Sequence, residues 1–147
     1  MSSASIKKII SCKKKQLIEM VLDIEKYPEF VPWCIEGKIH EKIETEDLIQ
    51  IKGHLKVGKK FLNETYNSLV LFHKQKDLII VTNISGPFKH LENEWKFKEI
   101  NEKTQLEFNI DFELKNSFLN KIMQKYFDFG LNKIADAFEE RALKIYK

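Results

Sequence analysis

Four histidines, two cysteines and a pair of glutamates are the residues of this sequence that bear most directly on acid–base, nucleophilic or metal chemistry. His40, His54, His73 and His90 show no metal-ligand spacing, and each reads as a surface histidine. Cys12 and Cys34 are too few for a disulfide framework or a metal knuckle, so a reducing compartment is expected. Cys34 follows Trp33 with no recognisable basic partner, which makes it a small buried hydrophobe rather than a nucleophile. Glu25 and Glu29 are spaced to share one helical face, where a solvated pair is the default. No Gly-x-Ser-x-Gly elbow, phosphate-cradling glycine loop or zinc motif occurs. The sequence therefore offers no catalytic residue and no metal site, and an enzyme is the least favoured class.

Binding is the chemistry the composition favours. Eleven Phe, four Tyr and two Trp make 12% of the 147 residues aromatic, and large rings either fill a core or line a pocket. Hydrophobic content of 43% and charged content of 32% are those of a soluble globular protein, and the length suits one domain spanning residues 1–147. Of the twenty-five basic residues only Arg141 is an arginine, a composition poor in the bidentate donors that read nucleic acid bases. The lysines are scattered among twenty-two acidic residues, and Lys13-Lys14-Lys15 is too short a run to make a basic face. DNA is thereby excluded as a partner, while the weak surplus of +3 favours an anionic membrane surface. No apolar run reaches the length of a membrane span, and neither a secretory signal nor a transit peptide is recognisable at the amino terminus. A cytoplasmic protein with peripheral contact at the inner membrane is expected.

The elements that position these residues follow from periodicity. Ala4 to Ser11 reads as a strand, and Lys14 to Ile24 as a helix with Leu17, Ile18, Val21 and Leu22 at helical spacing. Pro28 and Pro32 then impose a bend with a second short helix. From Ile35 to Leu114 the period is two. Ile35, Ile39 and Ile43 share a face before the turn Thr45-Glu46-Asp47, Ile49, Ile51, Leu55 and Val57 alternate next, and Gly86-Pro87 marks a later turn. Leu106, Phe108, Ile110, Phe112 and Leu114 face one way, and Glu107, Asn109, Asp111 and Glu113 the other. Asn116-Ser117 caps a closing helix through Tyr146, about 45 Å long, with Gly130 inside it at a bend, a close approach or simply tolerated. The order is strand, helix, short helix, six strands, long helix. A sheet that broad must curl around one helix, leaving a gap suited to an apolar ligand.

Three stretches resemble a known family. Asp23-Ile24-Glu25-Lys26-Tyr27-Pro28-Glu29-Phe30-Val31-Pro32-Trp33-Cys34 resembles the signature of the coenzyme Q-binding START-like proteins. Bacterial members of that family are named ribosome-association toxins or polyketide cyclase/dehydrase-like proteins. Gly86-Pro87-Phe88-Lys89-x-Leu91-Glu92-x-x-Trp95-x-Phe97 resembles the second block, and Ala137-Phe138-x-x-Arg141-Ala142-x-x-x-Tyr146 the third. Asn93 stands where members usually carry glycine, and asparagine tolerates the positive φ of a bulge better than other residues. The resemblance implies an α+β START-like helix-grip fold, a curved antiparallel six- to seven-stranded sheet wrapped around a long C-terminal helix. It also implies the ligand ubiquinone, or a related isoprenoid lipid, carried in support of respiratory electron transport or quinone biosynthesis. No other cofactor is implied.

Candidate ligand-binding residues are Phe30, Val31, Pro32 and Trp33 at the mouth, Phe61, Pro87, Phe88 and Trp95 on or beside strands, and Met123 and Phe127 on the long helix, with Tyr126 beside them. Plain core packing is the alternative for each. Asn63, Thr65 and Asn67 share the face of Phe61 and add polar contacts if that face is inward; if it is outward they are solvated. Ligand exchange implies transient membrane contact, with Tyr27 to Trp33 as the docking segment. A ribosome-associated, toxin-like factor that interferes with translation is the second reading.

Overall fold

The computed structural model describes residues 2–59 and 62–146; Phe61 lies outside them. Seven strands form one antiparallel sheet in the order β1-β7-β6-β5-β4-β3-β2. They are β1 (Ser2–Ile10), β2 (Cys34–Glu44), β3 (Leu48–Lys59), β4 (Leu62–His73), β5 (Leu78–Ser85), β6 (Phe88–Ile100) and β7 (Lys103–Leu114). Between β1 and β2 come helix α1 (Lys14–Leu22) and a 3-10 helix, Ile24–Glu29, and the chain closes on α2 (Ser117–Ile145). The order of elements is the one the periodicity predicts.

The sheet curls because several registers slip. Irregularities fall at Cys34/Glu36 and Ile39/Glu41 in β2, at Asn67/Ser68 between β4 and β5, and at Phe88/His90 in β6. Each extra residue bends its strand and increases the local twist. The β2 slips also overturn one expectation. Ile35 and Ile43 are 46% and 47% exposed while Ile39 is half-buried, so the three do not form a buried face. The bulge expected at Asn93 is absent as well. Asn93 pairs regularly between Val81 and Ile110, and its Oδ1 accepts from Trp95 Nε1 at 2.8 Å.

Helix α1 buries Leu17, Ile18 and Val21 of the apolar stripe read from the sequence and adds Met20, while Leu22 is half-buried. The following turn lies tight on β2 and β3 because two glycines admit it. A Cβ at Gly37 would overlap the Ile24 carbonyl, and one at Gly53 would stand 2.6 Å from the Lys38 carbonyl and 2.8 Å from the Ile24 side chain. Pro28 sits inside the 3-10 helix, whose hydrogen bonding ends before Trp33, a residue at φ 64°.

Asn116 caps α2 as expected, its Oδ1 accepting from the N–H groups of Phe118 and Leu119 at 3.0 Å each. The helix runs about 44 Å at 1.5 Å per residue. Its two halves differ. Leu131, Ala135, Phe138 and Ala142 are buried, whereas no residue from Ser117 to Gly130 is. The second half packs closely on the sheet; the first touches it only in part, as where Phe127 meets Phe112.

Candidate functional site: an open groove on the concave face

The concave face is set by strand register. Ile51 opposes Val70 and Val70 opposes Val81; Gly53 opposes Ser68 and Ser68 opposes Asn83; Leu55 opposes Tyr66. On the β6 side, Asn93 continues from Val81, and Trp95 lies between Ile79 and Phe108. The inward side of β4 is therefore Tyr66, Ser68, Val70 and Phe72. Asn63 and Thr65 are exposed, and Asn67 donates to Ser85 Oγ at 3.0 Å, so the solvated alternative describes that trio.

Under the second half of α2 the layers meet tightly. Phe138 is the hub, in edge contact with Tyr27 at 5.5 Å, Phe30 at 5.1 Å and Trp95 at 5.4 Å. Trp95 stacks on Phe108 at 4.5 Å. About 10 Å³ of free space is left among Ile6, Trp95, Leu106, Phe108, Leu131 and Phe138, room for one water at most. Phe30 and Trp95 are thus parts of the aromatic core, half-buried and 8% exposed respectively.

The remaining candidates border the open part of the face. Trp33 is 40% exposed and lies over Gly130, where an added Cβ would stand 3.7 Å from its ring. Val31 and Pro32 are half-buried beside it. Phe127 packs on Phe112 with centroids 4.5 Å apart, and Met123, one turn earlier, is 39% exposed. Across the groove Phe88 meets Tyr66 edge-on at 5.2 Å, and the Pro87 carbonyl accepts from the Lys115 N–H at 2.9 Å, tying the β5–β6 turn to the entry of α2. Tyr126, by contrast, points to solvent, 58% exposed. Within the segment expected to dock on membranes, Tyr27 is buried, its hydroxyl donating to the Val21 carbonyl; Trp33 alone offers a well-exposed ring.

The concave face and the core beside it are poorly suited to ionised side chains. Burial pushes the Tyr66 and Tyr27 hydroxyls well above the usual phenol range. Burial also pushes the Cys34 thiol up to about 11, against a smaller lowering by hydrogen bonding to the Glu36 backbone. Cys34 thus has the character of a buried hydrophobe and not of a nucleophile. Two polar atoms on this face, Ser68 Oγ and Asn83 Oδ1, are buried with no hydrogen-bond partner among the described residues. Asn83 spends its amide on the Phe88 carbonyl at 3.2 Å, which turns its oxygen inward. Neither residue stands out in the sequence; the clue was the phase shared by Val70 and Phe72, which carries Ser68 to the inner face.

Two further features lie outside the groove. A concavity of about 580 Å³ separates α1 from the ends of β2, β3 and β4, with Ile18, Leu22, Ile39, Ile49 and Phe72 beneath a charged rim. None of the sequence-predicted residues lines it. It is wide and open, and Lys14 crosses its edge to Asp77 at 2.8 Å. On the outer surface, β2–β3 pairing joins two histidines the sequence kept apart. His40 Nε2 lies 2.7 Å from His54 Nδ1, and His54 Nε2 lies 3.2 Å from Glu36 Oε2. Among the described residues no group of three or more side chains is arranged to hold a metal ion.

Comparison with known proteins agrees with this geometry. The family model described as polyketide cyclase / dehydrase and lipid transport matches residues 11–139. A protein of Rickettsia prowazekii named ribosome association toxin RatA is 35% identical, with 95% of each chain covered. The mitochondrial coenzyme Q-binding protein of Dictyostelium discoideum is 24% identical over 89% of this chain and 64% of its own. Among solved structures, a START superfamily protein from Mycobacterium smegmatis superimposes with a TM-score of 0.82 over 97% of this chain and 98% of the other, at 18% identity, and shares the fold. With that family model matching residues 11–139 and the Rickettsia protein 35% identical along nearly the whole chain, the chain belongs to the polyketide cyclase/dehydrase and lipid transport family.

Proposed function

We infer that the protein binds a long apolar lipid, ubiquinone or a related isoprenoid, on the concave face and acts as a carrier or chaperone rather than a catalyst. The observation that carries this reading is the set of partly exposed apolar side chains Trp33, Phe88, Met123 and Phe127 beside the first half of α2, with Ser68 Oγ and Asn83 Oδ1 buried and unpartnered on the same face. An isoprenoid tail laid against those side chains gains roughly 25 cal/mol per Å² removed from water. The Ser68 hydroxyl can donate to a quinone carbonyl. Asn83 Oδ1 can only accept, so it suits the hydroxyl of the reduced quinol or of a bridging water. The lipid transport description of the family and the coenzyme Q-binding name of the Dictyostelium relative support the same ligand class.

Mass spectrometry of lipids extracted from the purified protein tests this. A co-purifying isoprenoid quinone is expected, with retention reduced by Ser68→Ala. Repeated absence of any isoprenoid, together with no binding of added ubiquinone or ubiquinol, overturns the reading.

A second reading, ribosome association, is favoured by the name of the Rickettsia relative. Sedimentation of lysate at low and high salt tests it: a salt-sensitive fraction migrating with ribosomal subunits supports it, and no co-migration at low salt overturns it.

A further inference from the structure

The first half of α2 carries a second apolar stripe that belongs neither to the core nor to the groove. Phe118 is 72% exposed, Phe129 62%, Tyr126 58% and Ile122 41%. At 3.6 residues per turn these four positions fall within an arc of about 80°, on the opposite side of the helix from Leu131, Ala135, Phe138 and Ala142. Isolated apolar residues on a surface are ordinary; an exposed apolar stripe of about three turns is not.

The charge around the stripe narrows what can cover it. Lys115, Lys121, Lys125 and Lys133 are all exposed and flank it, and Asp128 is the sole acidic residue from Lys115 to Lys133. Among the described residues the ion pairs engage other lysines, leaving these four without a carboxylate. Lys125 Nζ stands 5.5 Å from the Tyr126 ring centroid and Lys133 Nζ 5.1 Å from that of Phe129, so cation and ring lie at the same level. A second copy packed symmetrically on this face would oppose lysine with lysine. A nucleic acid would satisfy the ammonium groups and leave Phe118 and Ile122 in contact with phosphate and water. An anionic bilayer takes both parts, rings into the acyl boundary and ammonium groups among the phosphates.

We propose that the first half of α2 is a docking surface for an anionic phospholipid membrane, entered by Phe118, Ile122, Tyr126 and Phe129 and held by Lys121, Lys125 and Lys133. Trp33 lies against Gly130 at the end of this stretch and is itself 40% exposed, so the docked helix brings the groove's rim to the bilayer. The inference rests on exposure and charge and is independent of which ligand the groove holds.

Co-sedimentation of the full chain with vesicles tests it. Binding is expected to vesicles of phosphatidylglycerol mixed with phosphatidylcholine, at least about tenfold weaker to phosphatidylcholine alone, and weakened by salt. The double variant Phe118→Ser, Phe129→Ser is expected to lose about tenfold or more in binding. The variant Lys121→Gln, Lys125→Gln should lose roughly fivefold per lysine on anionic vesicles only. Circular dichroism and thermal melts check that all variants fold, as the exposure of these side chains implies. No binding by the wild type to anionic vesicles overturns the proposal, as does binding unchanged in both variants. A change in oligomeric state or in ribosome co-migration with the phenylalanine variant, without vesicle binding, assigns the face to a protein or RNA partner and overturns it too. Vesicle binding by protein whose extract holds no isoprenoid leaves the docking surface standing and removes only the ligand reading.

Discussion

Arg141 Nη2 donates to Glu29 Oε1 at 2.9 Å, closing the carboxyl-terminal helix onto the turn that follows α1. The same guanidinium lies 5.1 Å from the Phe30 ring centroid, and Phe30 in turn meets Phe138, one turn before Arg141. The first and third motif blocks, more than a hundred residues apart, are thus one cluster in space, and Trp95 of the second joins it through Phe138. The only arginine of the chain serves this junction, where a planar, delocalised cation both stacks and hydrogen-bonds.

Removing that junction is expected to lower stability without unfolding the protein. In Arg141→Ala the lost stacking on Phe30 alone is worth about 0.5–2 kcal/mol, and Arg141→Lys, which keeps the charge but not the plane, should recover only part of it. Urea unfolding of the three proteins measures this. Equal midpoints for Arg141→Lys and the wild type would show that the planar contact contributes nothing.

The Arg141 contact holds the Glu29 carboxyl below its usual pKa, through hydrogen bonding first and the nearby Lys26 and Arg141 charges after it. A carboxyl depressed in the folded state contributes stability that is fully present above its unfolded pKa, near 4.5, and is lost as pH falls through the lower folded value. Thermal melts should therefore show wild type more stable than Glu29→Gln at pH 7, with the gap closing below pH 4.5. A gap independent of pH would assign the effect to packing instead.

Phe138 is 2% exposed at the hub of the aromatic cluster. Phe138→Ala should cost about 3–5 kcal/mol, the range for deleting a buried ring with incomplete collapse, whereas Phe138→Leu should cost much less. Denaturant unfolding followed by tryptophan fluorescence reads both, since Trp95 lies 5.4 Å from this ring.

Cys34, raised to about 11, carries about 100-fold less thiolate at pH 8 than an ordinary thiol of 9.0. Iodoacetamide should label it slowly in the native protein and rapidly in urea, with Cys12, also raised by burial, behaving alike. Fast native labelling of Cys34 would mean that the groove beside Tyr66 is wetter than its apolar walls imply.

Features that depend on neighbours along the chain are legible in the residues alone. The alternation of Leu106 to Leu114, most of the α1 stripe, the short second helix that holds Pro28 and the Asn116 cap all follow from local period and local hydrogen bonding, and each stands where it was expected. The family was legible for the same reason, since its motif blocks are short and contiguous. Which surfaces meet depends instead on contacts between segments far apart in the chain. Strand register turns Tyr66 and Ser68 inward and Asn63 and Thr65 outward, and register is a property of pairing between distant segments. Bulges put Ile35 and Ile43 in water despite their spacing, and the β2–β3 pairing brings His40 to His54. The apolar residues of α2 lie on more than one side of the helix, and which side meets the sheet and which meets solvent is settled by packing between distant segments. Thus Trp95 sits within the core with Phe30 half-buried against it, while Tyr126 faces outward in a stripe that lies off the concave face altogether.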